Sequence, residues 1–317
     1  MADMRSQGDS VGVQTPAIHD ATLRGARRRG GVTAGLARIV ASAPPESFFV
    51  GSALFHYLGP AFAVLLFGLL APVGVAWLRI VTAAAVFALW RRPWRAYAWL
   101  DSRGRRTVVA MGVVLALMNV CFYVSIDRLP LGTVAAVEFL PVIGLAAVGM
   151  RTARNALALA SGVAGVFLLV DVRFEGEPLG VTFAFANAAL FALYIVLAHR
   201  IARDARINGI DGLGVAMLVA ALVVTPIGGS SAAPAVLNPI VLVAGIGVGI
   251  SSSVIPYVCD QLAMARLSRA TYSLMVSLLP ATATVVGIVV LAQIPSSTEV
   301  LGVALVVTAV GVHREAS

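Results

Sequence analysis

Lysine is missing from this chain altogether, and charge of any kind is scarce. All 23 cations are arginines, and with 15 acidic residues the charged fraction is 12%, against roughly 25% in soluble domains. A water-soluble fold of this size buries only about 75% of its surface, too little to hide a chain that is 59% hydrophobic. Cysteine is nearly absent as well. Cys121 and Cys259 both lie inside apolar runs, where a thiol acts as a small hydrophobe rather than as half of a disulfide. There is no Walker-type Gly-Lys-Ser/Thr, no metal-spaced His/Cys cluster and no nucleophile elbow. These gaps exclude an ATP-driven pump and a membrane hydrolase; the expectation is no enzyme, no cofactor and no metal.

What the chain has instead is apolar length. Runs of about 18 or more apolar residues read as membrane-spanning helices, and ten are expected, over 48–70, 73–90, 107–126, 131–149, 154–171, 179–199, 213–229, 237–259, 270–291 and 297–313. The fold class is therefore an all-α integral membrane protein. Residues 1–46 are polar and carry Arg24, Arg27, Arg28 and Arg29. The first apolar run after them is long and unbroken, which reads as a retained helix rather than a signal peptide. The tail reads as disordered.

Arginine placement orients the helices. With ten spans, twenty of the 23 arginines fall on the side that holds the tail, Arg128 and Arg173 fall on the other, and Arg79 lies within a span. Positive loops mark the cytoplasmic face, so both termini are expected in the cytoplasm of a bacterial inner membrane. The net charge of +8 is thereby explained without a nucleic-acid partner.

The third and fourth spans read NVCFYVSIDRLPLGTVAAVEFLPV, and the eighth and ninth read IPYVCDQLAMARLSRATYSLMVSLLPA. Each has an aromatic end, a short Arg-Leu link, a Thr opening the next helix and a Leu-Pro further on. Five spans per half is an odd number, so two such halves run oppositely through the bilayer. Inverted repeats of this kind support alternating access in secondary transporters. The expected organisation is a tail at 1–46, a first five-helix repeat at 47–171 and a second at 172–317.

Four blocks, LRIVTAAAVFALWRRPWR at 78–95, MNVCFYVSIDRLPLGTVAAVEF at 118–139, FALYIVLAHR at 191–200 and IPYVCDQLAMARLSRATYSLMVSLLPA at 255–281, carry a family likeness. They resemble the threonine/homoserine exporter branch of the drug/metabolite transporter superfamily, whose repeat is called the EamA domain. The resemblance implies a ten-helix inner-membrane exporter of small metabolites, amino acids first among them, running on the proton gradient. An importer, an efflux carrier of other metabolites or drugs, and a non-transporting scaffold or receptor remain the alternatives. The chain departs from the family pattern at Val64, Leu279 and Gln293, where charged residues are common, and offers Asp260 near the end of span eight.

Glu138 is the sharpest candidate for the pathway. An ionisable group inside a span costs about 2.5–3.5 kcal/mol on insertion scales and therefore faces a cavity or a partner. It reads either as a proton or substrate-ammonium site or as half of a packing ion pair. Arg79 lies at matching depth, about 9 Å from the outer start of its span against about 10 Å for Glu138. It reads either as a bidentate carboxylate ligand or as a permanent counter-ion of Glu138. His56 reads as a proton carrier or as a neutral interhelical hydrogen-bonding group. Asn119, Asn187 and Ser277 are polar side chains within spans that line the pathway or bond helix to helix, and Tyr123 and Tyr257 line the pathway or act as interfacial anchors near span ends. Pro141 and Pro280 sit at matching places in the two halves, as hinges or as tolerated kinks. Gly162 and Gly165, with Ala160, form a close-packing face, expected within the chain, with a homodimer left open. The partners implied are a small-molecule substrate, protons and the lipid bilayer.

Overall fold

The computed structural model describes residues 43–149, 153–174, 177–202, 209–264 and 279–312, and every regular element among them is helical. The described residues from Pro45 onward belong to one compact unit. The helices are α1 (Pro45–Leu66), α2 (Pro72–Arg91), α3 (Pro93–Trp99), α4 (Ser102–Ile126), α5 (Leu131–Gly149), α6 (Ala153–Phe174), α7 (Pro178–Ala202) and α8 (Gly209–Gly228). After a 3-10 turn at Ser230–Ala232 come α9 (Ala233–Leu237), α10 (Pro239–Gly249), a π-helical turn (Ile250–Val254), α11 (Ile255–Met264), α12 (Leu279–Leu291) and α13 (Ser297–Val312). The greater part of the tail expected at 1–46, residues 1–42, lies outside the described residues, and its last two residues already belong to α1.

Local chemistry explains where the helices start. Pro72, Pro93 and Pro239 open α2, α3 and α10, at the position where a missing N–H costs nothing. Asp101 accepts from the Gly104 N–H at 2.7 Å ahead of α4. Asn238 Oδ1 accepts from the Ile240 and Val241 N–H groups ahead of α10. Before α13, Ser296 and Glu299 close a reciprocal capping box, with bonds of 2.8 and 3.2 Å. Arg92, in the left-handed region at φ 50°, ends α2 and turns the chain into α3. That short helix is not foreseen by the hydropathy pattern. Trp94 and Trp99 on it, with Trp90 before it, are exposed, the amphipathic arrangement that suits a membrane–water boundary.

Among the described residues six helices are long and apolar enough to cross a membrane, and the shorter apolar segments Leu131–Pro141, Ala156–Leu169, Leu279–Leu291 and Ser297–Ala309 lie where further spans were expected. Leu65, Leu89, Leu222, Ile240 and Val289 are all exposed. A solvent-facing surface of that kind would drive aggregation, whereas hydrocarbon satisfies it.

The packing partners follow a regularity. If α1 is exchanged with α7, α2 with α8, α4 with the broken α10–α11 helix, α5 with α12 and α6 with α13, the main contacts map onto one another. α4 packs on α7 as α10 and α11 pack on α1, and α5 packs on α7 as α12 packs on α1. The pairs α2–α8, α5–α12 and α6–α13 map onto themselves. In the last of these a Cβ on Gly165 would lie 2.6 Å from the Gly302 carbonyl oxygen, and one on Gly302 would lie 2.9 Å from the Gly165 oxygen. The glycine face of α6 is therefore met inside the chain.

The eighth expected span is one run in the sequence but three elements in space. Pro256 has no N–H to give the Ser252 carbonyl, the partner four residues back in an α-helix. The helix widens into a π turn over Ile250–Val254, a local departure that often marks a functional site.

Candidate functional site

Arg79 stands on the buried face of α2 and is 6% exposed. Its Nε donates to Ser253 Oγ at 2.9 Å and its Nη2 to the Ser252 carbonyl at 3.0 Å. The guanidinium also sits over the Tyr123 ring, 5.6 Å from the centroid, a favourable placement for a cation. Both serines belong to the π turn. Small residues let the turn come this close: Gly59 of α1 faces Ser252, and a Cβ on Gly249 would lie 3.0 Å from the Arg79 carbonyl oxygen.

Glu138 of α5 is likewise 6% exposed. Among the described residues it forms no ion pair, and the Asn187 amide is the polar group beside its carboxyl. A direct pair with Arg79, one of the two readings left open for that residue, is not formed, although the two groups are near enough to act on each other. Asn187 of α7, fully buried, lies beside the Glu138 carboxyl, but neither atom of its amide completes a hydrogen bond. Tyr57 and His56 of α1 complete the neighbourhood. Tyr57 is within electrostatic reach of Glu138 and His56 of Arg79, and the two rings meet edge to face at 5.3 Å.

The buried side-chain atoms left without a partner among the described residues are Tyr123 Oη, both amide atoms of Asn187, and Ser252 Oγ. All belong to residues around Arg79 and Glu138. A buried polar atom without a partner costs about 1–3 kcal/mol, so their concentration at one place makes it the candidate site. The site offers one fixed cation, one carboxyl group, an amide and two hydroxyls, drawn from both halves of the chain. That set suits a small ligand carrying both charges and hydrogen-bonding groups.

The other candidates fall elsewhere. Asn119 is buried, but its amide donates to Leu115 of its own helix at 2.8 Å, the usual back-bond of a polar residue in a helix. Tyr257 on α11 is half-buried and packs at the edge of the core built on α2, α4 and α8. Pro141 is half-buried inside α5 and Pro280 is buried in the first turn of the described part of α12. Ser277 lies outside the described residues. Ser252, Ser253 and Tyr57 were not singled out from sequence. The readable signal for the serines was a Ser-Ser-Ser run four residues before a proline within an apolar span.

A separate cavity of about 370 Å³ opens at the end of the bundle that holds the loops after α4 and α12. Asp127, Arg128, Thr133, Thr284, Gln293 and Glu299 contribute its polar lining. Gln293 Oε1 accepts from the Leu131 N–H at 3.1 Å, tying the second of these loops to the start of α5.

Comparison with known proteins adds an independent line. Residues 178–313 match the EamA-like transporter family. Over 254 residues, 79% of this chain, the sequence is 28% identical to the threonine/homoserine exporter RhtA of Escherichia coli K12 and 27% identical to that of Salmonella typhimurium LT2, covering 84% of each. A solved protein crystal structure shares the fold at a TM-score of 0.55, with 21% identity over 85% of this chain and 98% of that one.

Proposed function

We propose that this multi-pass membrane chain is a transporter of the EamA-like kind and not an enzyme, and that it exports small amino acids of the threonine/homoserine kind in exchange for protons. Ten spans form two inverted five-helix repeats, 47–171 and 172–317, and both termini lie in the cytoplasm. The exchange symmetry of the helix packing supports the repeats, and the twenty-to-two arginine split supports the orientation.

The observation that carries the reading is the buried polar cluster around Arg79 and Glu138, in which, among the described residues, Glu138 has no ion pair and Asn187, Tyr123 and Ser252 hold unfilled hydrogen-bonding capacity. Arg79 takes the substrate carboxylate. Glu138 takes either the substrate ammonium or a proton, so the two cannot occupy it together, and that competition couples their fluxes. Asn187 and the hydroxyls orient the remainder of the substrate. The halves then rock around the site, with Pro141 and Pro280 as the yielding points.

The test uses inside-out vesicles with an imposed proton gradient and labelled threonine, homoserine and a panel of other amino acids. Gradient-driven accumulation that Glu138→Gln abolishes is the expected result. Accumulation unchanged in Glu138→Gln would remove Glu138 from coupling, and no uptake of any amino acid would overturn the substrate class. Single cysteines placed in the tail and labelled from either side test the orientation.

A further inference from the structure

The π turn has a chemical role of its own, and it rests on the reading of Arg79 as the carboxylate ligand. A guanidinium has two forks, a side-on one made by Nε and Nη2 and an end-on one made by Nη1 and the second N–H of Nη2. Elsewhere in this protein the side-on fork holds a carboxylate: Arg91 Nε and Nη2 reach Asp211 Oδ1 and Oδ2 at 2.8 and 3.1 Å. At Arg79 the same fork holds Ser253 Oγ and the Ser252 carbonyl, at nearly the same distances. Two neutral oxygens therefore stand where a carboxylate would. They fix the guanidinium as a carboxylate does but add no negative charge, and among the described residues it has no direct ion pair. The end-on fork has no protein partner at Nη1 among the described residues.

Three features of the sequence build this receptor. Pro256 withholds the N–H that would occupy the Ser252 carbonyl in an α-helix. The π turn presents that carbonyl and the next hydroxyl to one guanidinium. Gly59 allows α1 to press against Ser252, and Ser52 Oγ of α1 donates to the Pro256 carbonyl at 3.2 Å.

We propose that Ser252 and Ser253 are positioning residues that hold Arg79 by its side-on fork with uncharged oxygens, so that a full positive charge and the end-on fork remain for the carboxylate of the substrate. Selectivity for a carboxylate over its uncharged amide is then set by the serine pair as well as by Arg79.

The experiment measures transport of L-threonine and of L-threoninamide into inside-out vesicles by wild type, Ser253→Ala, Ser253→Thr, Ser253→Asp and Ser251→Ala. Ser251 is the control on the same turn, since its hydroxyl bonds back to the Val248 carbonyl at 3.2 Å. Ser253→Ala should raise the threonine KM about tenfold, the scale of one hydrogen bond to a charged group. It should leave the threoninamide KM within about twofold, so the ratio of the two collapses. Ser253→Thr should restore the ratio, Ser251→Ala should keep it, and Ser253→Asp should abolish threonine transport by neutralising Arg79. An unchanged ratio in Ser253→Ala, or equal changes for both compounds, overturns the inference and leaves the function standing. If wild type transports neither compound nor any other amino acid, the functional reading falls first and this inference with it.

Discussion

Substituting Gly59 by Ala puts the architecture of the site to a steric test. The added Cβ would lie 2.8 Å from the Cα of Ser252, whereas carbon atoms in contact settle at about 3.5–4.0 Å. Side-chain rotation cannot relieve a clash with a backbone atom, so α1 and the π turn must part by about 1 Å. If that movement falls along the Arg79 bonds, now 2.9 and 3.0 Å, both pass out of hydrogen-bonding range. Overpacking of this kind costs about 1–3 kcal/mol. Gly59→Ala should therefore lower the thermal midpoint of the detergent-purified protein and raise the threonine KM about tenfold, as loss of a charged hydrogen bond does. Gly247→Ala is the matched control. A Cβ there meets nothing within 4 Å, and relief of glycine's backbone entropy in a helix should stabilise by about 0.5–1 kcal/mol with transport unchanged. Wild-type stability and KM in Gly59→Ala would refute the account of the site as a close-packed receptor.

Other expectations follow from the contacts around it. The Arg91–Asp211 pair, with side chains 33% and 21% exposed, should show a coupling of about 0.5–1 kcal/mol in a double-mutant cycle of thermal stability, weakened by salt. Gly165→Val should destabilise the fold by about 1–3 kcal/mol, because α13 already fills that face, and cross-linking in membranes should show the oligomeric state unaltered. Gln293→Ala removes the acceptor of the Leu131 N–H; thiol labelling of a cysteine introduced at Thr133 should rise as the loop after α12 lets go, and an unchanged rate would show that the bond holds nothing closed.

The membrane class of the chain was readable because it depends on one-dimensional quantities, the length of apolar runs and the gaps that interrupt them. Arg79, Glu138 and Asn187 were readable for a related reason, since a polar group inside an apolar run is conspicuous whatever its neighbours are. Asn119 was equally conspicuous yet spends its amide on its own helix, because polarity in a span does not say which way the side chain bonds. Ser252 and Ser253 escaped notice for the opposite reason: serine is common in such helices, and its importance here comes from a proline four residues away and a guanidinium 173 and 174 positions back.

Composition, hydropathy and the placement of arginine thus determine by themselves that this protein lives in a bilayer and where its ionisable groups lie along each helix, since the cost of moving charge into hydrocarbon acts residue by residue. Which of those groups meet was decided only in three dimensions. The sequence left Arg79 open between a carboxylate ligand and a permanent counter-ion of Glu138. Packing gave Arg79 instead to the neutral oxygens of a π turn and left Glu138, among the described residues, without an ion pair. That choice turns on ångström-scale approaches between helices far apart in the chain, and no pattern of residue types encodes such distances.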